Sequence, residues 1–138
     1  MSKPSSRSDL MKRLGAVQFN HMQAWCGVND AEKKVYFSIW EDNAKVIDGK
    51  RKFIIQAPGW GVDANGNKST PRKDHDAKLN LVLNDGYEAW GYFIVARDEY
   101  AETREIEETR TSFVMQLQLE IEPDGVVVAV PVKRVEIT

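Results

Sequence analysis

Two short segments rich in aromatic and β-branched residues dominate the hydrophobic pattern of the chain. Residues 35–40 read Val-Tyr-Phe-Ser-Ile-Trp, and residues 90–96 read Trp-Gly-Tyr-Phe-Ile-Val-Ala. Each segment is too short for a typical globular helix, and its composition is typical of a strand. Acidic residues follow both segments, where the chain is expected to leave the sheet. The pattern therefore predicts two core strands.

The remaining apolar and polar positions predict two helices and four further strands. Ser8 is a suitable N-cap for a short helix over residues 9–14, and Gly15 is a suitable stop. A longer helix is predicted over residues 72–84, after a loop over residues 58–71 that is long for a compact domain. The further strands are predicted over residues 23–28, 53–56, 113–121 and 126–130.

The order of these elements favours an α+β fold. Most connections between strands are of hairpin length, which favours antiparallel pairing. We therefore expect a strongly bent antiparallel sheet or a small β-barrel, with one or two packed helices. The chain is expected to form a single domain over residues 9–138, preceded by a flexible tail over residues 1–8.

Composition excludes several classes of protein. Hydrophobic residues make up 42% of the chain and charged residues 29%, which is usual for a soluble globular protein. The longest apolar run, residues 126–132, is far shorter than the roughly 20 residues of a membrane-spanning helix. The polar N-terminal residues lack the apolar stretch of a secretory signal. Together with the lone Cys26, these features predict a cytoplasmic protein without a membrane partner.

The net charge of −2 hides an asymmetry along the chain. Residues 1–80 carry 14 Lys and Arg against 9 Asp and Glu, whereas residues 81–138 carry 5 against 12. A fold that gathers the N-terminal charges would present a basic face that attracts phosphates. The alternative is that these charges are scattered and serve only solubility. The candidate phosphate-binding residues are Lys12, Arg13, Lys50, Arg51, Lys52, Arg72 and Lys73.

Three of the four tryptophans are candidates for stacking on a base or another flat ligand. Trp60 lies between two glycines in the predicted loop, where its neighbours offer little packing. Trp25 has small neighbours, and Trp40 lies on a predicted strand. Asp42 follows Trp40 closely and could accept hydrogen bonds from a base edge. For each tryptophan the alternative is a place in the core, and for Asp42 it is a strand-end turn.

Motifs for catalysis and metal binding are scarce. One Cys and two His are too few for a standard closed zinc site, and no Walker A loop or Gly-x-Ser-x-Gly elbow is present. Asp74-His75-Asp76 is the one compact acid–base cluster, but adjacent residues of a helix point in different directions. A solvated first helical turn is the alternative to a site there. We predict no catalytic residue, no metal and no cofactor.

Four short motifs follow one another along the chain: residues 25–28 (Trp-Cys-Gly-Val), residues 35–42 ending Trp-Glu-Asp, a helix ending at residues 84–86, and residues 91–98 beginning Gly-Tyr. Together these motifs resemble a module that is often joined to HNH-type restriction-like endonucleases. In that module a Trp-x-Gly-Ala strand precedes a strand ending Val-Trp-x-Asp, and a helix ending near Gly leads into a Gly-Tyr-x-Val strand. The resemblance covers roughly residues 10–130, with Cys26 in place of the usual Ser and Val28 in place of the usual Ala.

The resemblance implies a PUA-like or EVE-like barrel that recognises DNA or modified DNA for a nuclease, with no nuclease half expected in these residues. The leading hypothesis is therefore a non-catalytic nucleic-acid-binding module of a restriction or defence system. It would bind DNA rather than RNA and act with a nuclease partner or as a homodimer. The alternative is a small-ligand-binding or protein-interaction domain whose contact surface is the acidic stretch over residues 99–108. A third hypothesis is a hydrolase that uses His75.

Overall fold

The computed structural model describes residues 7–16, 26–98, 100 and 106–137. This part of the chain contains two helices, α1 (Arg7–Leu14) and α2 (Thr70–Asn84). Its eight strands are β1 (Cys26–Asn29), β2 (Lys34–Trp40), β3 (Ala44–Ile47), β4 (Lys50–Gln56), β5 (Glu88–Ala96), β6 (Ile106–Thr109), β7 (Phe113–Ile121) and β8 (Val127–Glu136). All the strands lie in one sheet, so the predicted α+β class is confirmed.

The sheet is mixed rather than purely antiparallel. Its strand order is β1-β2-β5-β7-β8-β4-β3, and β6 pairs with β5 beside this path. Strands β2 and β5 pair in parallel, and the other pairs are antiparallel. A parallel pair needs a long crossover, and here the β3–β4 hairpin and α2 supply it. The prediction of an all-antiparallel sheet is therefore wrong at this pair.

The sheet is strongly curled, as the sequence predicts, but it does not close into a barrel. Strands β4 and β5 are separated in the sheet by β7 and β8, so a flat sheet would hold them about 14 Å apart. Their side chains nevertheless meet, since the ring centroids of Phe53 and Phe93 are 5.0 Å apart. The amide of Ile54 in β4 also donates to the carbonyl of Asn43, just beyond β2, at 3.2 Å. The path nonetheless ends at β1 and β3, which do not pair with each other.

Helix α1 covers the convex face of the sheet. Leu10 and Met11 are buried in one cluster with Tyr36, Tyr92 and Val114, which share this face because alternate strand residues point the same way. The helix ends at Gly15 as predicted, where the chain adopts a φ of 72°. The predicted tail over residues 1–8 lies outside the described residues except for its last two, which form the start of α1.

Helix α2 lies on the concave face. Leu79 is buried in a cluster with Phe37, Ile55 and Leu117. The helix begins after Ser69, whose hydroxyl accepts a hydrogen bond from the amide of Arg72 at 3.3 Å, as an N-cap side chain does. Helix α2 therefore fills one part of the concave face and leaves the part near Phe53 and Phe93 for other side chains.

Most predicted elements are confirmed, and the differences concern short or irregular strands. The hairpin of β1 and β2, the long loop and strand β7 lie where the sequence predicts them. Strands β3 and β6 were not predicted, and β4 begins at Lys50, so the basic cluster belongs to a strand. Asp48 and Gly49, a residue pair typical of hairpin turns, adopt φ of 54° and 76° and join β3 to β4. Strand β8 continues through Pro131 because the β7–β8 register shifts at that point.

No helix in the described part of the chain is long and apolar enough to cross a bilayer.

Candidate functional site

A row of three phenylalanines lies on the concave face beyond α2. Phe53 of β4 and Phe93 of β5 have ring centroids 5.0 Å apart with planes tilted by 58°. Phe93 and Phe113 of β7 are 6.1 Å apart and meet edge to face. Such separations are favourable for aromatic pairs. Phe53 is buried, whereas Phe93 and Phe113 are half-buried, so the row is a floor that remains partly accessible to solvent.

Two arginines lie over the outer rings of this row. The guanidinium carbon of Arg51 is 5.3 Å from the centroid of Phe53, and that of Arg134 is 3.9 Å from the centroid of Phe113. Both distances are within the range of a cation–π interaction. Glu136 accepts a hydrogen bond from Nε of Arg134 at 2.7 Å and so helps to hold that guanidinium in place. A guanidinium thus lies at each end of the row, and the one at Phe113 is paired with a carboxylate.

An open groove of about 540 Å³ runs beside Phe53 and Phe93, and we call it the phenylalanine groove. Pockets for small molecules have a similar volume and are similarly lined by apolar residues with a few polar groups. The residues that line the groove are Lys50, Arg51, Phe53, Phe93, Gln118, Val130, Pro131 and Val132. The charged residues of this set are both basic, which suits an anionic ligand with a flat apolar part.

The three cations at residues 50–52 of β4 differ in exposure and in partners. Lys50 and Arg51 are exposed and line the groove, as expected for residues that bind phosphate. Lys52 is half-buried and forms a salt bridge of 2.5 Å with Glu120. Its hydrogen bond to that carboxylate raises the pKa of the lysine. We therefore leave Lys52 out of the proposed phosphate contacts.

Arg72 is buried and its guanidinium is engaged within the protein. Nη1 donates to the carbonyls of Ala57, Pro58 and Trp60 at 3.2, 2.9 and 2.7 Å. Nε donates to Asp76 at 3.1 Å. A phosphate could reach this guanidinium only if these bonds were broken, so we assign Arg72 to the anchoring of the loop.

The other predicted phosphate-binding residues do not line the groove. Lys12 and Arg13 are exposed on α1, which packs on the convex face. Lys73 is exposed on α2. The structure therefore gathers only Lys50 and Arg51 of the predicted set at the groove, while the roles of Lys12, Arg13 and Lys73 stay predictions.

The predicted stacking residues that the structure describes lie in different parts of the fold. Trp40 packs against the cluster of the convex face. Trp60 is half-buried in the loop that Arg72 ties to α2, on the concave side. Asp42 is exposed in the turn after β2, and Trp25 lies outside the described residues. Stacking on any of these tryptophans stays a prediction, separate from the phenylalanine groove.

The cluster Asp74-His75-Asp76 is part of a buried polar network, with its three side chains directed differently. His75 is 1% exposed, its Nδ1 is 2.5 Å from Oε1 of Gln56, and its ring meets Phe37 edge to face. Nε2 of Gln56 in turn donates to Asp76 at 3.1 Å. Burial lowers the pKa of His75 to about 4, so the imidazole is neutral at physiological pH. This arrangement favours a structural role over the hydrolase hypothesis.

The described part of the structure gives little support to a reactive cysteine or to a metal site. Burial raises the pKa of the Cys26 thiol, which keeps it protonated and unreactive. In the ranges that the structure describes, no three His, Cys, Asp or Glu side chains are grouped as metal ligands would be.

Sequence reasoning missed Phe93, Phe113 and Arg134 as members of a common surface. They belong to β5, β7 and β8, and only strand order and curvature bring them together. The period-two alternation of each strand shows that Phe113 and Met115 share a face, but it does not show which residues of other strands lie opposite. No sequence signal beyond that alternation could have identified the row.

Comparison of the chain with models of known protein families, with curated proteins and with solved structures finds no match, so the groove is interpreted from its own chemistry.

Proposed function

We propose that the chain is a non-catalytic nucleic-acid-binding module and that the phenylalanine groove is its contact surface. The observation that carries the proposal is the placement of exposed Lys50 and Arg51 beside the accessible ring of Phe93 in one groove. Proteins that bind nucleic acid combine cations that neutralise phosphates with aromatic rings on which bases stack.

The charges of the groove support this proposal. Among the described residues neither Lys50 nor Arg51 is paired with a carboxylate, whereas Lys52 is paired with Glu120. An unpaired cation on an accessible surface interacts more strongly with an incoming phosphate than one that must first leave a carboxylate. The two residues therefore supply the basic face that the charge asymmetry of the sequence suggests.

The finer role that we propose is recognition of DNA, including modified DNA, for a nuclease of a restriction or defence system. Its support is the resemblance of residues 25–28, 35–42 and 91–98 to the module that is joined to HNH-type endonucleases. The curl that brings β4 towards β2 is what we take to support the relation to PUA-like or EVE-like barrels that the resemblance implies, although this sheet does not close. In this role the protein should bind modified DNA more tightly than unmodified DNA of the same sequence.

The proposal is tested by replacing the two exposed cations of the groove. In the double variant Lys50→Ala/Arg51→Ala, we expect DNA affinity to fall about equally for all sequences, because phosphate contacts position the protein but do not specify a base. The slope of log affinity against log salt concentration should become shallower by about 1.4 to 1.8, or about 0.7 to 0.9 for each phosphate that is no longer neutralised. Fluorescence anisotropy with labelled DNA at several salt concentrations measures both quantities.

The matched control is Lys12→Ala/Arg13→Ala, which removes two exposed cations from the convex face. If the groove is the contact surface, this control retains the parent affinity and salt dependence. Equal losses in the two double variants would show attraction by overall charge rather than by the groove. Absence of DNA binding by the parent protein would remove the proposal altogether.

A second candidate ligand is a small planar anion. The groove volume of about 540 Å³ favours this ligand, because pockets for small ligands have similar volumes. The two candidates differ in how affinity depends on ligand length. A nucleic-acid site gains affinity from mononucleotide to oligonucleotide as phosphate contacts accumulate. A small-ligand site binds the mononucleotide or another planar anion as tightly as any longer chain.

A further inference from the structure

We infer that the phenylalanine groove selects single-stranded over double-stranded nucleic acid, with an unstacked base on Phe93. This inference rests on the proposed function and adds the class of nucleic acid that the groove takes. Its evidence is the position of the aromatic row, the size of the groove and the placement of positive charge at both sides.

The accessible aromatic surface faces the interior of the curl. Phe93 is the central ring of the row and the one that both lines the groove and remains half-exposed. Phe53 and Phe113 support it from the two sides at 5.0 and 6.1 Å. A ring held in this way loses little freedom when a base stacks on it, so stacking there is not opposed by the ordering of a mobile side chain.

The bases of a duplex are not free to stack on the ring of Phe93. In a double helix each base is covered above and below by its neighbours and presents only its edges in the grooves. Arg51, Pro131 and Val132 line an open groove of about 540 Å³, which has the scale of one small molecule and is far smaller than the volume of one turn of a duplex. A single strand can turn an unstacked base towards Phe93, as strands bound on aromatic platforms do.

The cations lie where the phosphates of such a strand would pass. Arg51 lies over Phe53 on one side of Phe93, and Arg134 lies over Phe113 on the other. Arg134 is held by Glu136 in the free protein, and its side chain is 58% exposed, so it can turn from that carboxylate to a phosphate. Three contacts from Lys50, Arg51 and Arg134 would give a salt slope of about −2 for a single strand.

The experiment compares one labelled 12-nucleotide DNA strand with its own duplex, by fluorescence anisotropy at fixed salt. We expect the parent protein to bind the single strand at least about 10-fold more tightly than the duplex, because only the single strand can stack a base on the ring. Phe93→Leu keeps an apolar side chain but removes the ring. It should lower single-strand affinity about 5- to 100-fold and so remove most of the preference for the single strand over the duplex.

A second pair of variants keeps the inference testable if Phe93→Leu lowers the melting temperature. Arg134→Ala removes the exposed cation over Phe113, and Lys133→Ala removes the neighbouring exposed cation, which points to the opposite face because adjacent strand residues alternate. We expect the first variant to weaken single-strand binding and the second to match the parent. Equal effects of the two variants would overturn the assignment of Arg134 and of the row.

The outcomes separate this inference from the function on which it rests. A duplex that binds as tightly as the single strand, with binding still weakened by Lys50→Ala/Arg51→Ala, overturns the single-strand inference and leaves the proposed function standing. Failure of both DNA forms to bind withdraws the inference together with the proposed function.

Discussion

Neighbouring residues of the same chemical type have different roles here because their side chains leave the backbone in different directions. Arg51 points to the phenylalanine groove, and Lys52 points to Glu120 on the other face of β4. Arg72 is buried against three loop carbonyls, and Lys73 beside it is exposed. The sequence identifies these residues as basic, and the direction of each side chain decides whether that charge is available to a ligand.

The residue scale also includes one glycine that lies close to two buried side chains. A Cβ at Gly91 in β5 would lie 2.7 Å from Cδ1 of Ile39 and 2.9 Å from Cδ1 of Leu117. Both distances are shorter than those that real Cβ atoms make, so the neighbours must move. We expect Gly91→Ala to lower the free energy of unfolding by about 1–3 kcal/mol, as overpacking of a core does. Urea denaturation measures the change.

Gly59→Ala is the matched control for that substitution, since a Cβ at Gly59 meets no atom within 4 Å. Its free energy of unfolding should stay within about 0.5 kcal/mol of the parent, as for most surface substitutions. A Gly91→Ala protein as stable as this control would mean that Ile39 and Leu117 can move aside without cost.

At the scale of elements, helix α2 determines the position of the long loop. Its Arg72 bonds three loop carbonyls, and its Asp76 accepts from Lys68, at the far end of the loop, at 2.8 Å. Within the loop Asp63 accepts from the amides of Asn65 and Asn67 at 2.9 Å, and the backbone bond from Asn67 lowers the pKa of that carboxyl. The long loop that the sequence predicts is thus hydrogen-bonded to α2 at both of its ends.

Removing the guanidinium should therefore release the loop. We expect Arg72→Ala to destabilise the protein by about 3–5 kcal/mol, towards the lower value because Asp76 keeps its bonds to Lys68 and Gln56. Limited proteolysis should also cleave within residues 57–69 faster than in the parent. Lys73→Ala is the control, because Lys73 is an exposed cation on the same helix turn. Similar stability and cleavage rates in the two variants would show that the loop is held by other contacts.

At the scale of the whole molecule, stability depends on a buried histidine that carries no charge in the fold. Burial lowers the pKa of His75 from 6.5 to about 4, against the attraction of Asp76 and Asp74 and together with the repulsion of Arg72. Between these two pH values the unfolded chain binds a proton more readily than the folded chain does. The free energy of unfolding is therefore complete above pH 6.5 and decreases as the pH falls towards 4.

The expected decrease over this window is about 3 kcal/mol, since one pKa unit corresponds to about 1.4 kcal/mol. His75→Gln removes the titration and keeps an amide donor for Gln56. Urea denaturation from neutral pH to pH 4 should show the decrease in the parent and a nearly flat profile in the variant. The pKa of the Asp76 carboxyl is lowered, so in the folded protein this group stays ionised over this window. Parallel profiles for the two proteins would exclude His75 as the titrating group.

The sequence by itself determined the α+β class, both helices and the positions of the main strands, because these depend on local periodicity and on turn residues. The alternation over residues 113–121 predicts β7 with the bounds that the structure gives it. It also identified Lys50 and Arg51 as candidates for phosphate contacts. It did not locate β3 or β6, since strands of four residues offer too few positions for a period to be recognised.

Only the tertiary structure decided the parallel pairing of β2 with β5, the curl of the sheet and the groove that results from them. The residues of the groove come from β4, β5, β7 and β8, and their contacts depend on register and curvature, which no single segment encodes. Tertiary packing also buries Arg72 and His75, whereas Lys50 and Arg51 remain exposed to solvent. Local pattern specifies what each segment can become, and long-range packing decides which side chains meet.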